Sequence, residues 1–309
     1  MTVRLATYNL LHGMTVLGGM PQPARDDAGR IIGPPLVADD IALRESVAQL
    51  DADVIGLQEV DVDQPRSAHA HQVRSVAGAL GAEHWHFAPS VAGTPGESGW
   101  QPALEEHEVA SNLTRRMPSS VGRWTTSSGG GVDPPMTVGP LYGVGLVSRL
   151  PVREWRSTQF APAPWSLPLL IPGEPRPRFV SVADEPRAAI AAVVEGAHGP
   201  FTVVTAHLSF VPGYNVRQLR ELRRWLGGLP RPLVLLGDFN LPGRLPALIT
   251  GWEPLLRAAT YPVTTPRAQL DHVLADGFTS AQLDAARGTA QVHRLPVSDH
   301  AAVTVDLNL

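Results

Sequence analysis

Cysteine is absent from this chain. That excludes disulfides, thiolate metal sites and a cysteine nucleophile. Lysine is absent too, because all 25 basic residues are arginine. Schiff-base chemistry and a lysine general base are therefore excluded. No strong charge of either sign is present: 29 acidic against 25 basic residues leave a net charge of -4 and a pI near 6.2. This is not the footprint of a protein that grips nucleic acid through general phosphate attraction, although a local basic cleft is compatible with it. No apolar run approaches the ~20 residues needed to span a bilayer. The N-terminus shows no charged region followed by an apolar one, so no signal peptide is expected and the expected location is cytoplasmic.

What is present suffices for a sizeable core: 309 residues, 43% of them hydrophobic. Short apolar runs alternate with helical spacings. Strands are expected at Val3 to Asn9, Asp53 to Glu59, His84 to Phe87, Tyr142 to Ser148, Arg187 to Glu195, Phe201 to Leu208, Leu233 to Gly237, Gln269 to Ala275 and Ala301 to Leu307. Helices are expected from Asp39 or Asp40 to Leu50, with Ile41, Val47 and Leu50 inward, from His69 to Leu80, and from Asn215 to Leu226. Leu11 to Ala38 reads as a loop. No repeat or dividing linker is found, so one domain over 1–309 is expected, with long insertions at about 89–140 and 161–177. The fold class is α/β, two packed sheets with helices outside.

Polar residues gather at the strand ends: Asn9, Glu59, Arg187, His207, Asp238 with Asn240, and Asp271. Ser298-Asp299-His300 precedes the last strand. Leu236-Gly237-Asp238-Phe239-Asn240 has two readings. It is an apolar strand ending in an Asx turn, or a strand delivering an acid and an amide to a polar site. With no thiol or amine available, chemistry falls to carboxylate, imidazole, amide and a metal. Glu59 and Asp299 are hard oxygen donors suited to Mg²⁺ or Mn²⁺. His207 and His300 titrate near neutrality, and Asp271 is suited to fix an imidazole tautomer. His12 is expected to bond backbone in its loop, with a place lining the pocket as the alternative; His272 is expected to pack away from Asp271, and His69, His71, His84 and His86 to lie on the surface or on helices. The Arg217 to Arg224 cluster reads as a solvated helix face.

Seven segments carry a resemblance: Ala6-Thr7-Tyr8-Asn9, Val54-Ile55-Gly56-Leu57-Gln58-Glu59-Val60, Val147-Ser148-Arg149-Leu150-Pro151, Val204-Thr205-Ala206-His207-Leu208, Leu236-Gly237-Asp238-Phe239-Asn240, Leu270-Asp271-His272-Val273-Leu274 and Ser298-Asp299-His300. In this order the sequence resembles the endonuclease/exonuclease/phosphatase superfamily, relatives of pancreatic-type deoxyribonuclease, sphingomyelinase and inositol-phosphate phosphatases. The resemblance implies a four-layer α/β sandwich with its site at one end of the sheets. It implies Glu59 as main metal ligand with Asn9 and Asp299 close by, and Asp238 and Asn240 facing the phosphate and attacking water. His300, oriented by Asp271, would be general base or transition-state stabiliser; His207 would bind phosphate or protonate the leaving group; Arg187 would face the substrate. The expected activity is metal-dependent hydrolysis of a small or lipid-like phosphate ester. A nuclease is the alternative, and a relative repurposed for binding or non-hydrolytic chemistry comes after it. The abasic-site branch fits poorly, since Leu11 stands two residues after Asn9 where those members carry Asp. Deoxyribonuclease-type members pair the second histidine with a Glu; here the aligned neighbourhood holds Leu141 and Tyr142, leaving the partner of His207 open.

Overall fold

The computed structural model describes residues 1–16, 23–25, 31–35, 38–96, 99–103, 124–125, 139–171 and 178–309. Two seven-stranded mixed sheets face each other. The first runs β17 (Gln291–His293), β18 (Ala302–Asn308), β1 (Thr2–Asn9), β4 (Val54–Val62), β8 (Leu141–Ser148), β5 (His84–Ala92), β6 (Gln101–Pro102). The second runs β15 (Glu253–Pro254), β16 (Asp271–Asp276), β14 (Leu233–Asp238), β13 (Gly199–His207), β12 (Arg187–Gly196), β9 (Val152–Phe160), β7 (Trp124–Thr125). Two separate hairpins pair β2 (Pro23–Arg25) with β3 (Ile31–Pro35) and β10 (Ser166–Ile171) with β11 (Arg178–Ala183).

Three apolar layers hold the molecule together. Val3, Leu5, Val54, Val203, Val234, Leu236 and Val273 fill the space between the sheets. The outer face of the first sheet packs under α1 (Asp40–Leu50) and α2 (Gln72–Leu80) through Ala6, Tyr8, Ile55, Leu57, Leu43, Val47 and Val76. The outer face of the second packs under α3 (Tyr214–Trp225) through Val204, Leu235, Phe239, Leu219 and Leu222. Each fully buried Leu, Ile or Phe contributes roughly 1.5–3 kcal/mol. The expected four-layer α/β sandwich is what forms.

Strand alternation decides which residues enter the gap between the sheets. Leu5, Thr7 and Asn9 share one face of β1; Val203, Thr205 and His207 share one face of β13. Leu236 and Asp238 share one face of β14, and Val273 and Asp271 one face of β16. The apolar members lie in the inter-sheet core, so the polar residues two positions on stand at its rim. Strand direction brings them to the same rim. β1 is parallel to β4 and β13 is parallel to β14, so their C-terminal ends coincide. β16 and β18 run antiparallel to β14 and β1, so their beginnings fall there as well.

Several expectations need correction. Ile41 is 69% exposed: Asp39 caps α1 by accepting from the Ile41 and Ala42 N–H groups at 3.0 Å each, and the inward face is Leu43, Val47 and Leu50. His86 is buried and stacked on Trp155 at 5.5 Å, because β5 continues to Ala92. The expected insertion at 89–140 thus begins inside a strand; apart from 99–103 and 124–125, its 97–98 and 104–138 lie outside the described residues. The one at 161–177 contains strand β10. The loop expected over 11–38 holds a 3₁₀ turn, Leu11–Gly13, and the β2–β3 hairpin. Strand β9 and helices α4 (Leu245–Thr250) and α5 (Ser280–Thr289) escape the sequence reading.

Candidate active site

Glu59 reaches the rim by a different route from its neighbours. By alternation it would share the face of Ile55 and Leu57, under the helices. The register of β4 against β8 shifts between Leu57 and Val60, and Glu59 adopts a positive φ of 54°. This bulge re-aims its side chain and lets the strand run on to Val62, so Glu59 is not a strand end. Asn9 then joins the two sheets. Its Nδ2 donates to Glu59 Oε1 at 3.0 Å and to Asp238 Oδ2 at 3.1 Å, while its Oδ1 accepts from the Leu11 N–H at 3.0 Å. The backbone donor fixes the amide orientation: Asn9 offers its NH₂, not its carbonyl oxygen, to Glu59.

The second sheet supplies a line of three groups. Asp271 Oδ2 lies 2.9 Å from His300 Nδ1, and His300 Nε2 lies 3.8 Å from Asp238 Oδ2. Asp238, Asp271 and His300 each offer one donor atom within 4.8 Å of the others. We read this cluster as an oriented imidazole, since the Asp271 contact occupies Nδ1. Burial opposes charge on His300, yet Asp271 and Asp238 overcome it and hold the imidazole up at about 10. Burial pushes Asp238 up to about 7 against the pull of His300. Burial likewise pushes Asp299 up to about 6. Asp299 stands close enough to Glu59 and His300 to feel both charges.

Asn240 is brought to the same place by a turn. Asp238 Oδ1 accepts from the Asn240 N–H at 2.9 Å, and Asn240 has φ 50°. The two readings of this stretch are thus one structure, an Asx turn that forms the site's edge. Asn240 Nδ2 donates to the Leu208 carbonyl at 3.0 Å and lies 3.5 Å from His207 Nε2. Gly237 is required here: it has φ +139°, and a Cβ would stand 2.0 Å from the Ala206 carbonyl oxygen.

The partner of His207 is Arg187. Its Nη1 stands 3.1 and 3.2 Å from the two ring nitrogens, and Asp238 Oδ2 is 3.7 Å away. Burial, then the Arg187 cation, hold His207 well below its usual value, so it is neutral at pH 7. Arg187 is itself backed by Asp184, whose Oδ1 is 3.8 Å from Nη2 and whose Oδ2 accepts from Ser209 Oγ and the Ala163 N–H at 2.7 Å each. Each of the sequence-derived site residues thus stands at this rim: Asn9, Glu59, Arg187, His207, Asp238, Asn240, Asp271, Asp299 and His300.

A profile of the endonuclease/exonuclease/phosphatase family matches residues 6–300. The chain belongs to this family. Members of this family hydrolyse phosphate esters. Its fold recurs in an endonuclease/exonuclease/phosphatase from Beutenbergia cavernae at 20% identity and TM-score 0.57, covering 100% of this chain and 72% of that one. It recurs in sphingomyelinase C from Streptomyces griseocarneus at 15% identity and TM-score 0.53, covering 100% of both chains. A family protein from Leptotrichia buccalis aligns at 11% identity and TM-score 0.52, covering 99% and 100%. A search of curated proteins finds no match.

Sequence reasoning missed three contributors and gave a fourth, His12, only as the lesser alternative. Tyr261 lies over His300 at 4.7 Å between ring centroids, and Asn215 donates to the Asn240 carbonyl at 2.9 Å. Tyr142 lies 5.5 Å from the His12 ring. His12 itself takes the expected backbone contact, from Glu59, but also stands 3.7 Å from the Glu59 carboxylate. No periodicity marks these residues as site-facing: Tyr261 and His12 lie in connecting segments, Asn215 in the first turn of α3, and Tyr142 on the neighbouring strand β8. His272 packs as expected, on Phe239 at 5.4 Å, with Nε2 2.7 Å from the Leu241 carbonyl. The α3 arginines are exposed. Arg220, Arg223 and Arg224 line an open groove with Arg231 and Trp252, at the end of β14 opposite Asp238. Among the described residues no helix is long and apolar enough to cross a membrane.

Proposed function

We propose that the chain is a Mg²⁺- or Mn²⁺-dependent phosphoesterase acting on a small or lipid-like phosphate ester. The observation that carries this reading is the Asp271–His300–Asp238 line, facing Glu59 across a single bridging amide, Asn9. Asp238 and Asp299 are carboxyls that burial holds partly protonated. Hard oxygen donors short of positive charge fit a small divalent cation. Glu59 and Asp299 would hold it. The NH₂ orientation of Asn9 gives that residue a positioning part between Glu59 and Asp238 instead of a place in the coordination shell. When bound, such an ion draws charge from the phosphate oxygens and acidifies water.

The remaining work falls to the protein's own groups. Asp238 titrates near the working pH, as suits a general base taking a proton from water. His300 is cationic at neutral pH and donates from Nε2 to charge developing on the phosphate, so transition-state stabilisation suits it better than base catalysis. Arg187 and neutral His207 face the phosphate and the leaving oxygen, and Asn240 holds the edge between His207 and Asp238. The small-molecule choice rests on the net charge of -4 and on Trp165, 53% exposed and packed edge-on at 5.1 Å against Tyr214.

Purified protein with Mg²⁺ or Mn²⁺ is expected to cleave one or more of a panel of phosphodiesters and phosphomonoesters, and Glu59→Ala to abolish that cleavage. Failure on the whole panel sinks the proposal. Plasmid nicking that falls steeply with salt would replace the small substrate with nucleic acid.

A further inference from the structure

The imidazole of His12 lies between two carboxylates. Its Nε2 is 3.7 Å from Glu59 Oε2 and its Nδ1 is 3.6 Å from Asp61 Oδ1. Nδ1 is buried and makes no hydrogen bond. The ring does not drift there by chance. Leu11 and His12 both hold positive φ, 43° and 59°. Gln72 locks the turn to β4: its Nε2 donates to the His12 carbonyl at 2.5 Å and its Oε1 accepts from the Asp61 N–H at 2.8 Å. Backbone strain of this kind persists where the surroundings over-determine it, and it concentrates at functional sites.

A neutral imidazole has one N–H proton and two nitrogens. Whichever nitrogen carries the proton, the other turns a lone pair toward a carboxylate. Asp61 is already satisfied, for Arg66 donates to its two oxygens at 2.8 and 2.7 Å. Among the described residues Glu59 Oε2 has no comparable donor; Asn9 serves Oε1. In the tautomer with the proton on Nδ1, toward Asp61, the Nε2 lone pair and Glu59 Oε2 are two electron-rich atoms 3.7 Å apart. An arrangement in which Asp61 accepts from Nδ1–H and Nε2 is left free matches the carboxylate–histidine–metal pattern, where the outer nitrogen fixes the tautomer of a ligating imidazole.

We propose that His12 ligates the divalent ion through Nε2, alongside Glu59, with Asp61 and Arg66 as its orienting pair. This rests on the metal-dependent reading above. A nitrogen ligand shifts preference away from Mg²⁺, which an all-oxygen set suits, toward the transition-metal series that Mn²⁺ opens.

The experiment is Mn²⁺ binding to the full chain, measured by titration and by pulsed electron paramagnetic resonance. The wild type is expected to show ¹⁴N coupling from one imidazole. His12→Ala is expected to lose that coupling and to bind Mn²⁺ about 10-fold or more weakly, with a smaller loss for Mg²⁺. His12→Asn, which keeps a polar group at the turn, should also lose the coupling, and circular dichroism reports whether either variant folds. Wild-type Mn²⁺ bound without ¹⁴N coupling overturns the proposal, as does coupling that survives in both variants. If the wild type binds Mn²⁺ and Glu59→Ala does not, the metal reading stands whatever His12 does. If the wild type binds no Mn²⁺ at all, the metal reading itself fails.

Discussion

Asp271→Asn separates charge from geometry at the centre of the site. The amide oxygen still accepts from His300 Nδ1, which now stands 2.9 Å from Asp271 Oδ2; only the negative charge is lost. Sign and size follow from linkage. His300 is held at about 10 in the folded chain against a reference of 6.5. A group raised on folding contributes stability that is fully present below the unfolded value and disappears as pH climbs through the folded one. At pH 8 the imidazole lies about two units below its folded pKa, worth at most about 3 kcal/mol at about 1.4 kcal/mol per unit. Below pH 6.5 the ceiling is about 5 kcal/mol, and above pH 10 it vanishes. Asp271→Asn should therefore lower stability most in mild acid, and progressively less from pH 6.5 to 10. Urea titrations at pH 6, 8 and 10 measure this, and NMR of the His300 ring should show its pKa falling. Activity should drop by up to about 10²–10³ if His300 stabilises charge in the rate-limiting step. An unchanged His300 titration, or a stability loss equal at all three pH values, refutes the reasoning.

Asp238→Asn should do the reverse. Its carboxyl is raised to about 7 by burial, so ionising it in the folded state costs stability that accumulates from pH 3.8 to 7. With chelator present, the variant is expected to melt a few degrees higher than wild type at pH 8, with no advantage at pH 4, while losing activity; a melting difference of equal size at both pH values contradicts the assignment. Gly237→Ala puts a methyl group 2.0 Å from the Ala206 carbonyl oxygen at a φ of +139°. A loss of about 4 kcal/mol or more is expected, read as a drop of about 6 °C or more in melting temperature, and a shift under about 3 °C would contradict the packing described.

Most of the rim was legible because a strand's alternation is arithmetic. Once Leu5, Val203, Leu236 and Val273 are assigned to the core, Asn9, His207, Asp238 and Asp271 follow at two-residue spacing. Glu59 was found by its motif, not by that arithmetic; the bulge that aims it reverses the face that alternation assigns, and a one-residue register shift leaves no pattern in composition. Asn240 arrives beside Asp238 through the Asx turn, with φ 50°, so the two readings of that stretch hold together. His12 looked like an ordinary loop histidine because its neighbours, Glu59 and Asp61, are about fifty residues away in sequence. The strand over Val152–Phe160 was hidden by its many polar positions, Arg153, Glu154, Arg156 and Gln159, which blunt the apolar signal.

Gln58, beside Glu59, is buried in the gap between the sheets. It lies within hydrogen-bonding distance of Thr7 Oγ1 and donates to Thr205 Oγ1 at 2.8 Å. Thr7 lies two residues before Asn9, and Thr205 two residues before His207. One amide therefore gauges the separation of the half of the site built on the first sheet from the half built on the second. Gly56, one step deeper, lets the sheets close: a Cβ there would meet Leu236 Cδ1 at 2.3 Å. Apolar packing tolerates small sliding of one sheet over the other, whereas a hydrogen bond tolerates little. The loops above the rim are thus free to vary with the substrate, because the tolerance of the reacting geometry is set one layer below them, by a side chain that no substrate touches.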